Sequence, residues 1–291
     1  MATQTVDQAP PSDDDYTGVL HTYVPYKAGL PRLGPYVREV WRRREFLNEM
    51  SRANVRAGQR DTLFGKLWNI LNPLLMGMVY FILVNILTDR GTKPGYFVYL
   101  VSGLFLFSVL QSCATQGSRS VVKAGKIITN TAFPRVLLPL STVKTAVNEF
   151  IPSFAVLIVI AATSGVRFHP AQITLIPLFL LFTIFVSGIA MLLATIQVYF
   201  RDTASFLPFV LRIWLYGSPI LWSASQVPAS LKAIEILNPM YAIIGSWSDA
   251  IVYGKWPSTT SWIMASSWAL VSFLVGAYVF LTRERDFAVR I

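Results

Sequence analysis

Residues 36–50 read Tyr-Val-Arg-Glu-Val-Trp-Arg-Arg-Arg-Glu-Phe-Leu-Asn-Glu-Met, and residues 60–73 read Arg-Asp-Thr-Leu-Phe-Gly-Lys-Leu-Trp-Asn-Ile-Leu-Asn-Pro. The first stretch has apolar residues at three- and four-residue steps and charged residues on the other side, which predicts an amphipathic helix lying flat on a membrane. Arg38, Trp41 and Arg42 belong to this helix. The second stretch follows a predicted break at Gly58 and continues into an apolar run. A cationic interface helix therefore leads directly into a first membrane span.

The composition indicates a polytopic membrane protein. The chain has 291 residues, of which 54% are hydrophobic and 14% charged, with a net charge of +10. This is too apolar for an ordinary soluble domain. Residues 1–34 are largely polar and predict a disordered cytoplasmic tail rather than a signal peptide. Cys113 is the only cysteine, so no internal disulfide or cysteine-based metal cluster is expected.

Six apolar runs are long enough to cross a membrane. We expect an all-α fold in which residues 35–66 form the interface helix and a connector, and residues 67–291 form a six-helix membrane domain. With six spans, both termini lie on the same side of the membrane, and most lysine and arginine residues fall in the segments on that side. Because cytoplasmic segments carry an excess of these residues, both termini are predicted to be cytoplasmic. The six predicted spans are residues 69–88, 96–115, 138–163, 171–199, 204–222 and 258–281.

Two short helices are predicted between the fifth and sixth spans. Residues 231–237 and 241–247 are apolar segments separated by Asn238-Pro239. Each is too short to cross a bilayer. We therefore expect them to lie at the outer membrane interface or to re-enter it.

The basic loop between spans two and three contains a candidate docking helix. Val121, Val122 and Ile128 would line one side of it, with Lys123 and Lys126 at the edges. Such a helix would suit a soluble partner. The alternative is a solvated basic loop that only obeys the charge rule for orientation.

The residues needed for several kinds of chemistry are missing or separated. His21 and His169 are the only histidines, and the predicted topology places them on opposite sides of the membrane. No zinc site or histidine base can then be assembled, and we expect neither catalytic nor metal-binding residues. Gly125-Lys126 lacks the flanking residues of a phosphate-binding loop. If nucleotide energy drives this protein, another chain must bind the nucleotide.

Two charged residues fall inside predicted spans. Glu149 and Arg212 are expected about 13 to 17 Å from the cytoplasmic face. An unpaired charge at that depth costs about 2.5 to 3.5 kcal/mol, so both should face the interior of the bundle. Either the two side chains pair with each other, or Arg212 contacts an anionic headgroup that moves through the protein.

Aromatic side chains are frequent in the spans and would suit a sugar-binding path, because aromatic faces can stack on sugar rings. The alternative is ordinary core packing, since the same residues recur at helical spacing. The candidates are Tyr80, Phe105, Tyr199, Trp214 and Tyr216.

Five blocks of sequence, in one order along the chain, resemble the membrane subunits of ABC-2 type exporters. Among these, the set is most similar to permeases that export O-antigen, teichoic acid or cell-wall galactan. The long acidic tail favours the lipid-linked galactan exporter of arabinogalactan cell walls. The blocks are residues 60–73, residues 133–139, Arg201-Asp202, Ser218-Pro219-Ile220, and Val227-Pro228 with residues 237–240.

This resemblance implies a homodimer in the bacterial plasma membrane, joined to two copies of a separate ATPase that binds ATP and Mg. The cargo would be a lipid-linked polysaccharide, with membrane lipids as further contacts and no nucleic acid partner. The chain itself would be neither an enzyme nor a cofactor-binding protein. Residues 36–56 would form the interface helix, and residues 118–130 would form the coupling helix that contacts the ATPase. The competing hypotheses are an ABC-2 exporter of a small hydrophobic drug or lipid, and a membrane-embedded transferase.

Overall fold

The computed structural model describes residues 30–59, 65–87, 95–223 and 236–290. These residues are helical, with no strand within the described ranges, so the predicted all-α fold is confirmed. Nearly all of the predicted tail and of the helix at 231–237 lie outside the described residues. The helices are α1 Leu33–Arg42, α2 Arg44–Gln59, α3 Trp68–Leu87, α4 Tyr96–Lys123, α5 Gly125–Asn130, α6 Leu137–Thr163, α7 Leu175–Tyr199, α8 Thr203–Tyr216, α9 Pro239–Val252, α10 Thr259–Arg283 and α11 Phe287–Arg290.

Five of these helices are long and apolar enough to cross a membrane: α3, α4, α6, α7 and α10. They match five of the six predicted spans. The remaining prediction, at residues 204–222, corresponds to α8, an apolar helix of 14 residues. At about 1.5 Å per residue, α8 is only some 21 Å long and is shorter than the hydrocarbon core of a bilayer. It ends at Tyr216 and is capped by Gly217, before the turn formed by Ser218 and Pro219.

Helix α4 lies at the centre of the bundle. It packs against α3, α6, α7, α8 and α9, and Tyr99, Phe105 and Leu110 on it are fully buried. A helix with neighbours on most sides is expected to carry mainly apolar and small residues, as α4 does over its first half. By contrast, α3 and α8 expose most of their apolar side chains, including Met78 and Ile213. Their outer faces are therefore available to lipid or to another protein chain.

Helices α7 and α10 cross at very close range. A Cβ atom added to Gly188 would lie 2.2 Å from the carbonyl oxygen of Ser272, and one added to Gly276 would lie 2.1 Å from the carbonyl oxygen of Gly188. The Ser272 hydroxyl donates a 2.9 Å hydrogen bond to the Phe185 carbonyl across the crossing. Small residues thus let the two backbones touch, as is common between membrane helices.

The interface helix differs from the prediction in two ways. The segment is two helices, α1 and α2, separated at Arg43, and α2 continues through Gly58 to Gln59, so the predicted break at Gly58 is wrong. Helix α2 is held against α6 by polar contacts, including a 3.0 Å hydrogen bond from the Thr145 hydroxyl to the Ser51 hydroxyl. Glycine is tolerated inside α2 because tertiary contacts, rather than propensity, stabilise most helices in proteins.

The loop predicted between spans two and three is shorter than expected. Helix α4 continues to Lys123, and α5 begins at Gly125, so a single helix over residues 118–130 is wrong. The break falls at Ala124, whose backbone N–H donates to the Val121 carbonyl at 3.1 Å in a tight turn. The candidate docking region is therefore the end of a long membrane helix followed by a helix of six residues.

Helix α9 corresponds to the second predicted outer helix and is mostly buried, with Trp247 only 2% exposed. It begins with Pro239 at its first position, and the Asn238 side chain caps it by accepting a 3.0 Å hydrogen bond from the Met240 N–H. The same side chain accepts from the Trp214 indole N–H at 2.9 Å and donates to the Gly217 carbonyl at 2.7 Å. Asn238 therefore joins the end of α8 to the start of α9.

Candidate transport cavity and partner-facing surface

A cavity of about 550 Å³ lies between α3, α4, α6 and α8. It is at the end of the bundle where α3 begins, and Glu149 extends into it from α6. Polar side chains on α3 and α4 face one another across this space, although the helices that carry them are strongly apolar. The polar and aromatic lining residues are Trp68, Asn69, Asn72, Tyr80, Phe107, Ser108, Gln111, Ser112, Thr115, Gln116, Glu149, Phe150 and Ser153.

The cavity wall contains three exposed side-chain amides that have no hydrogen-bond partner among the described residues. The side-chain amides of Asn69, Asn72 and Gln111 form no hydrogen bond with any residue in the described part of the chain. The Gln116 amide, by contrast, donates to the Ser112 hydroxyl at 2.8 Å. Polar groups within a membrane are costly unless they are hydrogen-bonded or face a water-filled space. The cavity is therefore suited to a polar occupant.

Of the predicted path residues, Tyr80 and Glu149 line the cavity. Tyr216 adjoins it, because its hydroxyl lies 3.4 Å from the Tyr80 hydroxyl and its ring packs edge-on against that of Tyr80. Arg212 is exposed on α8, close enough for its charge to act on the Tyr80 hydroxyl. Within the described residues it forms no ion pair, with Glu149 or with any other acid. The alternative in which Arg212 meets an anionic headgroup stays a prediction.

Three other predicted path residues lie away from the cavity. Phe105 is fully buried in the core. The Trp214 ring packs edge-on against Phe185, and its indole N–H is used by Asn238. Tyr199 lies at the end of α7, with Arg290 4.4 Å over its ring. Helical spacing cannot separate aromatic residues that line a cavity from those that pack in a core, because both recur with the same period.

The candidate docking residues divide between the interior and the surface. Val121 is fully buried in a cluster with Met191 and Phe280 and offers no surface to a partner. Val122 is partly buried, whereas Lys123 and Lys126 are exposed. The surface formed by the end of α4 and by α5 is therefore basic rather than apolar.

Helix α1 exposes an apolar stripe bordered by arginine. Leu33, Val37 and Trp41, each four residues apart, are 56%, 62% and 69% exposed. The Arg44 guanidinium lies 5.6 Å from the centre of the Trp41 ring. Arg38 is also exposed, and Arg42 pairs with Glu39 at 2.8 Å. Such a stripe fits the predicted position at a membrane surface.

A neighbouring junction joins three distant parts of the chain. The Tyr36 hydroxyl of α1 donates a 2.7 Å hydrogen bond to Glu284, which is 8% exposed and follows α10. The backbone N–H of Arg135, between α5 and α6, donates to the same carboxylate at 2.5 Å, and the Arg135 guanidinium donates to the Glu284 carbonyl. The pKa of Tyr36 is raised well above its usual value, first by burial and then by the Glu284 charge. Sequence analysis missed this junction because nothing local relates residues so far apart.

Comparison with known proteins identifies the family. Residues 47–252, more than half of the chain, match the ABC-2 type transporter family. The chain belongs to this family. It is 29% identical over 211 residues to the O-antigen export system permease protein RfbA of Klebsiella pneumoniae, covering 72% of this chain and 81% of that protein. It is 24% identical over 255 residues to the O-antigen export system permease protein RfbA of Myxococcus xanthus, covering 87% and 97% respectively.

Family membership confirms the main resemblance seen in the sequence. As an ABC-2 membrane protein, the chain is a transport component and not an enzyme, which rejects the hypothesis of a membrane-embedded transferase. The matched region includes α3 to α9 and therefore all four helices that form the cavity. It also includes most of α2, but begins after α1. The cavity thus lies within the part of the chain that matches the ABC-2 family.

Proposed function

We propose that this ABC-2 protein is the membrane subunit of an ATP-driven exporter of a lipid-linked polysaccharide. The export would run from the cytoplasmic to the outer side of the bacterial plasma membrane. The observation that carries this proposal is the polar cavity between otherwise apolar helices, in a chain similar to two O-antigen export permeases. Cell-wall galactan is our candidate cargo, because the long acidic amino-terminal tail favours that branch of the polysaccharide exporters.

The working assembly would contain two copies of this chain and two copies of an ATPase. The exposed apolar faces of α3 and α8 support the pairing of two copies, because each face flanks the cavity and is left uncovered in the single chain. A path closed by two copies would then be lined by both cavities. ATP and Mg would be bound by the ATPase subunits, and both termini of this chain would be cytoplasmic.

The ATPase would contact the basic surface formed by the end of α4 and by α5. Lys123 and Lys126 are exposed there, and α4 continues without a break into the cavity wall at Gln116 and Gln111. A rigid helix of 28 residues would carry a displacement at the ATPase contact directly to the cavity. Arg38, Trp41 and Arg42 of α1 would form the adjoining contact with the membrane surface and the ATPase.

Depletion of this protein in cells tests the proposal. We expect the lipid-linked glycan to accumulate on the cytoplasmic side while its amount at the cell surface falls. Re-expression of the wild-type chain should reverse both changes, provided that the ATPase partner retains its catalytic residues. An unchanged surface glycan, together with increased retention of small hydrophobic compounds, would instead establish the drug or lipid exporter and reject our proposal.

A further inference from the structure

The carboxy-terminal segment, residues 284–290, follows the last membrane helix and lies against the candidate docking region. Within it, α11 packs against α5 and α7. Phe287 is fully buried, in a cluster that also contains Ile128 of α5 and Val121 of α4. The ring of Phe287 lies 5.1 Å from that of Phe280, near the end of α10. The segment therefore connects the short helix of the proposed ATPase contact to the last membrane helix.

Helix α5 depends on this packing for its position. It has only six residues, and helices shorter than about 12 residues are marginally stable on their own. The tight turn at Ala124 separates it from α4, so the two helices do not form one continuous rod. Ile128 is the residue of α5 that is buried, at 5% exposure. A displacement of α5 would therefore reach the bundle through the carboxy-terminal segment as well as through α4.

Glu284 fastens the segment at its first residue. The two oxygens of its carboxylate accept hydrogen bonds from different elements: Oε2 from the Tyr36 hydroxyl of α1 at 2.7 Å, and Oε1 from the Arg135 backbone N–H at 2.5 Å. The Arg135 guanidinium also donates to the Glu284 carbonyl and, at 3.3 Å, to the Arg285 carbonyl. Hydrogen bonds to a charged group are stronger than those between neutral groups. Glu284 thus joins α1 to the stretch of chain between α5 and α6.

The rest of the segment is fastened to the end of α7. Tyr199, the last residue of α7, donates a 3.2 Å hydrogen bond to Asp286 Oδ2. The Arg290 guanidinium lies 4.4 Å from the centre of the Tyr199 ring, within the range of a cation–π interaction. Tyr199 therefore belongs to this junction.

We propose that the carboxy-terminal segment holds α1 and α5 to the ends of α7 and α10 as one rigid unit, and that Glu284 is the positioning residue of this link. A displacement at the ATPase contact would then move α7 and α10 together with α4. The inference rests on the proposed function, because it assumes an ATPase partner. When the link is broken, α5 can move without the bundle, so ATP is hydrolysed while less cargo is moved.

Two substitutions at Glu284 test the link. Glu284→Leu has a similar size but leaves the Tyr36 hydroxyl and the Arg135 N–H without their acceptor. Glu284→Gln keeps both contacts, because the amide oxygen can accept from the Arg135 N–H while the amide NH₂ donates to the Tyr36 hydroxyl. Each variant is reconstituted with the ATPase partner, and a polyprenyl diphosphate carrying an oligosaccharide is the probe. We expect Glu284→Leu to lower the glycan moved per ATP hydrolysed roughly 3- to 10-fold, and Glu284→Gln to stay within about two-fold of the wild type.

Ser102→Ala is the control for a loss of stability that leaves the link intact. Ser102 is fully buried near the start of α4, and its hydroxyl group lies 2.9 Å from that of Ser248 on α9. This variant should unfold at a lower temperature but move as much glycan per ATP as the wild type. The inference is overturned if Glu284→Leu keeps the wild-type ratio, or if Ser102→Ala lowers the ratio as much as Glu284→Leu does.

Spin labels at Thr129→Cys in α5 and Val289→Cys in the carboxy-terminal segment test the link without a transport measurement. Both positions are exposed, and native Cys113 is fully buried and stays unlabelled. We expect one narrow distance distribution in the wild-type and Glu284→Gln backgrounds and a broad one with Glu284→Leu. A distribution that stays equally narrow with Glu284→Leu would overturn the inference. A wild-type complex that hydrolyses ATP but moves no lipid-linked glycan would reject the proposed function instead, while the spin-label distances would still decide whether the link is rigid.

Discussion

The Tyr36 hydroxyl lies 2.7 Å from Glu284 Oε2, although the two residues are 248 positions apart in the chain. This hydrogen bond ties the amphipathic helix α1 to the segment that follows the last membrane helix. Arg135 donates to the same carboxylate and connects it to the loop after α5. The interface helix, the proposed ATPase contact and the carboxy-terminal segment therefore meet at one buried side chain.

Tyr36→Phe should lower the stability of this junction. The substitution removes a donor to a nearly buried carboxylate, and such bonds contribute about 1.5 to 3 kcal/mol. We expect a lower midpoint of thermal unfolding in detergent. Tyr278→Phe is the matched control, because Tyr278 is 58% exposed on α10. Equal midpoints for Tyr36→Phe and the wild type would mean that the hydrogen bond contributes nothing.

Gly276→Ala should disrupt the crossing of α7 and α10. The added methyl group would lie 2.1 Å from the Gly188 carbonyl oxygen, and a backbone atom cannot move aside as a flexible side chain can. Overpacking typically costs about 1 to 3 kcal/mol, and contact with the backbone is at the upper end of that range or beyond it. We expect a reduced yield of folded protein on size-exclusion chromatography.

The control for this experiment is Gly34→Ala in α1. A Cβ atom at Gly34 meets nothing within 4 Å, and alanine favours helix by about 1 kcal/mol relative to glycine. The yield of this variant should equal or exceed that of the wild type. Similar yields for both alanine variants would contradict the close crossing.

Asn238→Ala should loosen the connection between α8 and α9. It removes the cap of α9, worth about 1 kcal/mol, and leaves the Trp214 indole N–H without its partner. We expect earlier thermal unfolding and a red shift of tryptophan fluorescence, which Trp214→Phe should abolish. Asn85→Ala is the control for the loss of an amide. If the fluorescence of Asn238→Ala matches that of the wild type, the proposed contact does not hold Trp214.

Charge reversal at Lys123 and Lys126 tests the ATPase contact. The double variant Lys123→Glu/Lys126→Glu should weaken binding of the purified ATPase roughly ten-fold, equivalent to about 1.4 kcal/mol. The loss should be larger at low salt, because exposed charges are screened as ionic strength rises. Arg167→Glu, an exposed charge beyond the far end of α6, is the matched control. Unchanged affinity at low salt would place the ATPase on another surface.

Periodicity and the length of apolar runs predicted most of the fold. Five of the six predicted spans correspond to long apolar helices, and the buried α9 begins at the predicted Asn238-Pro239 boundary. Helix ends were less predictable. The α4 helix extends eight residues beyond its predicted end at residue 115, because a basic segment can remain helical once it leaves the apolar layer. Helix α8 is instead shorter than its predicted span, because the apolar run continues beyond Tyr216 into a turn.

The sequence by itself determined that this chain is a helical membrane protein with a cationic amphipathic helix before its first span, because hydropathy and charge are local properties that each segment carries alone. It also identified Tyr80 and Glu149 as candidate path residues, and the cavity contains both. Only the tertiary structure decided that Phe105 packs in the core, that the amides of α3 and α4 face each other, and that Tyr36 meets Glu284. These outcomes depend on how helices distant in sequence rotate and pack against one another, and no periodic pattern within a single helix encodes that choice.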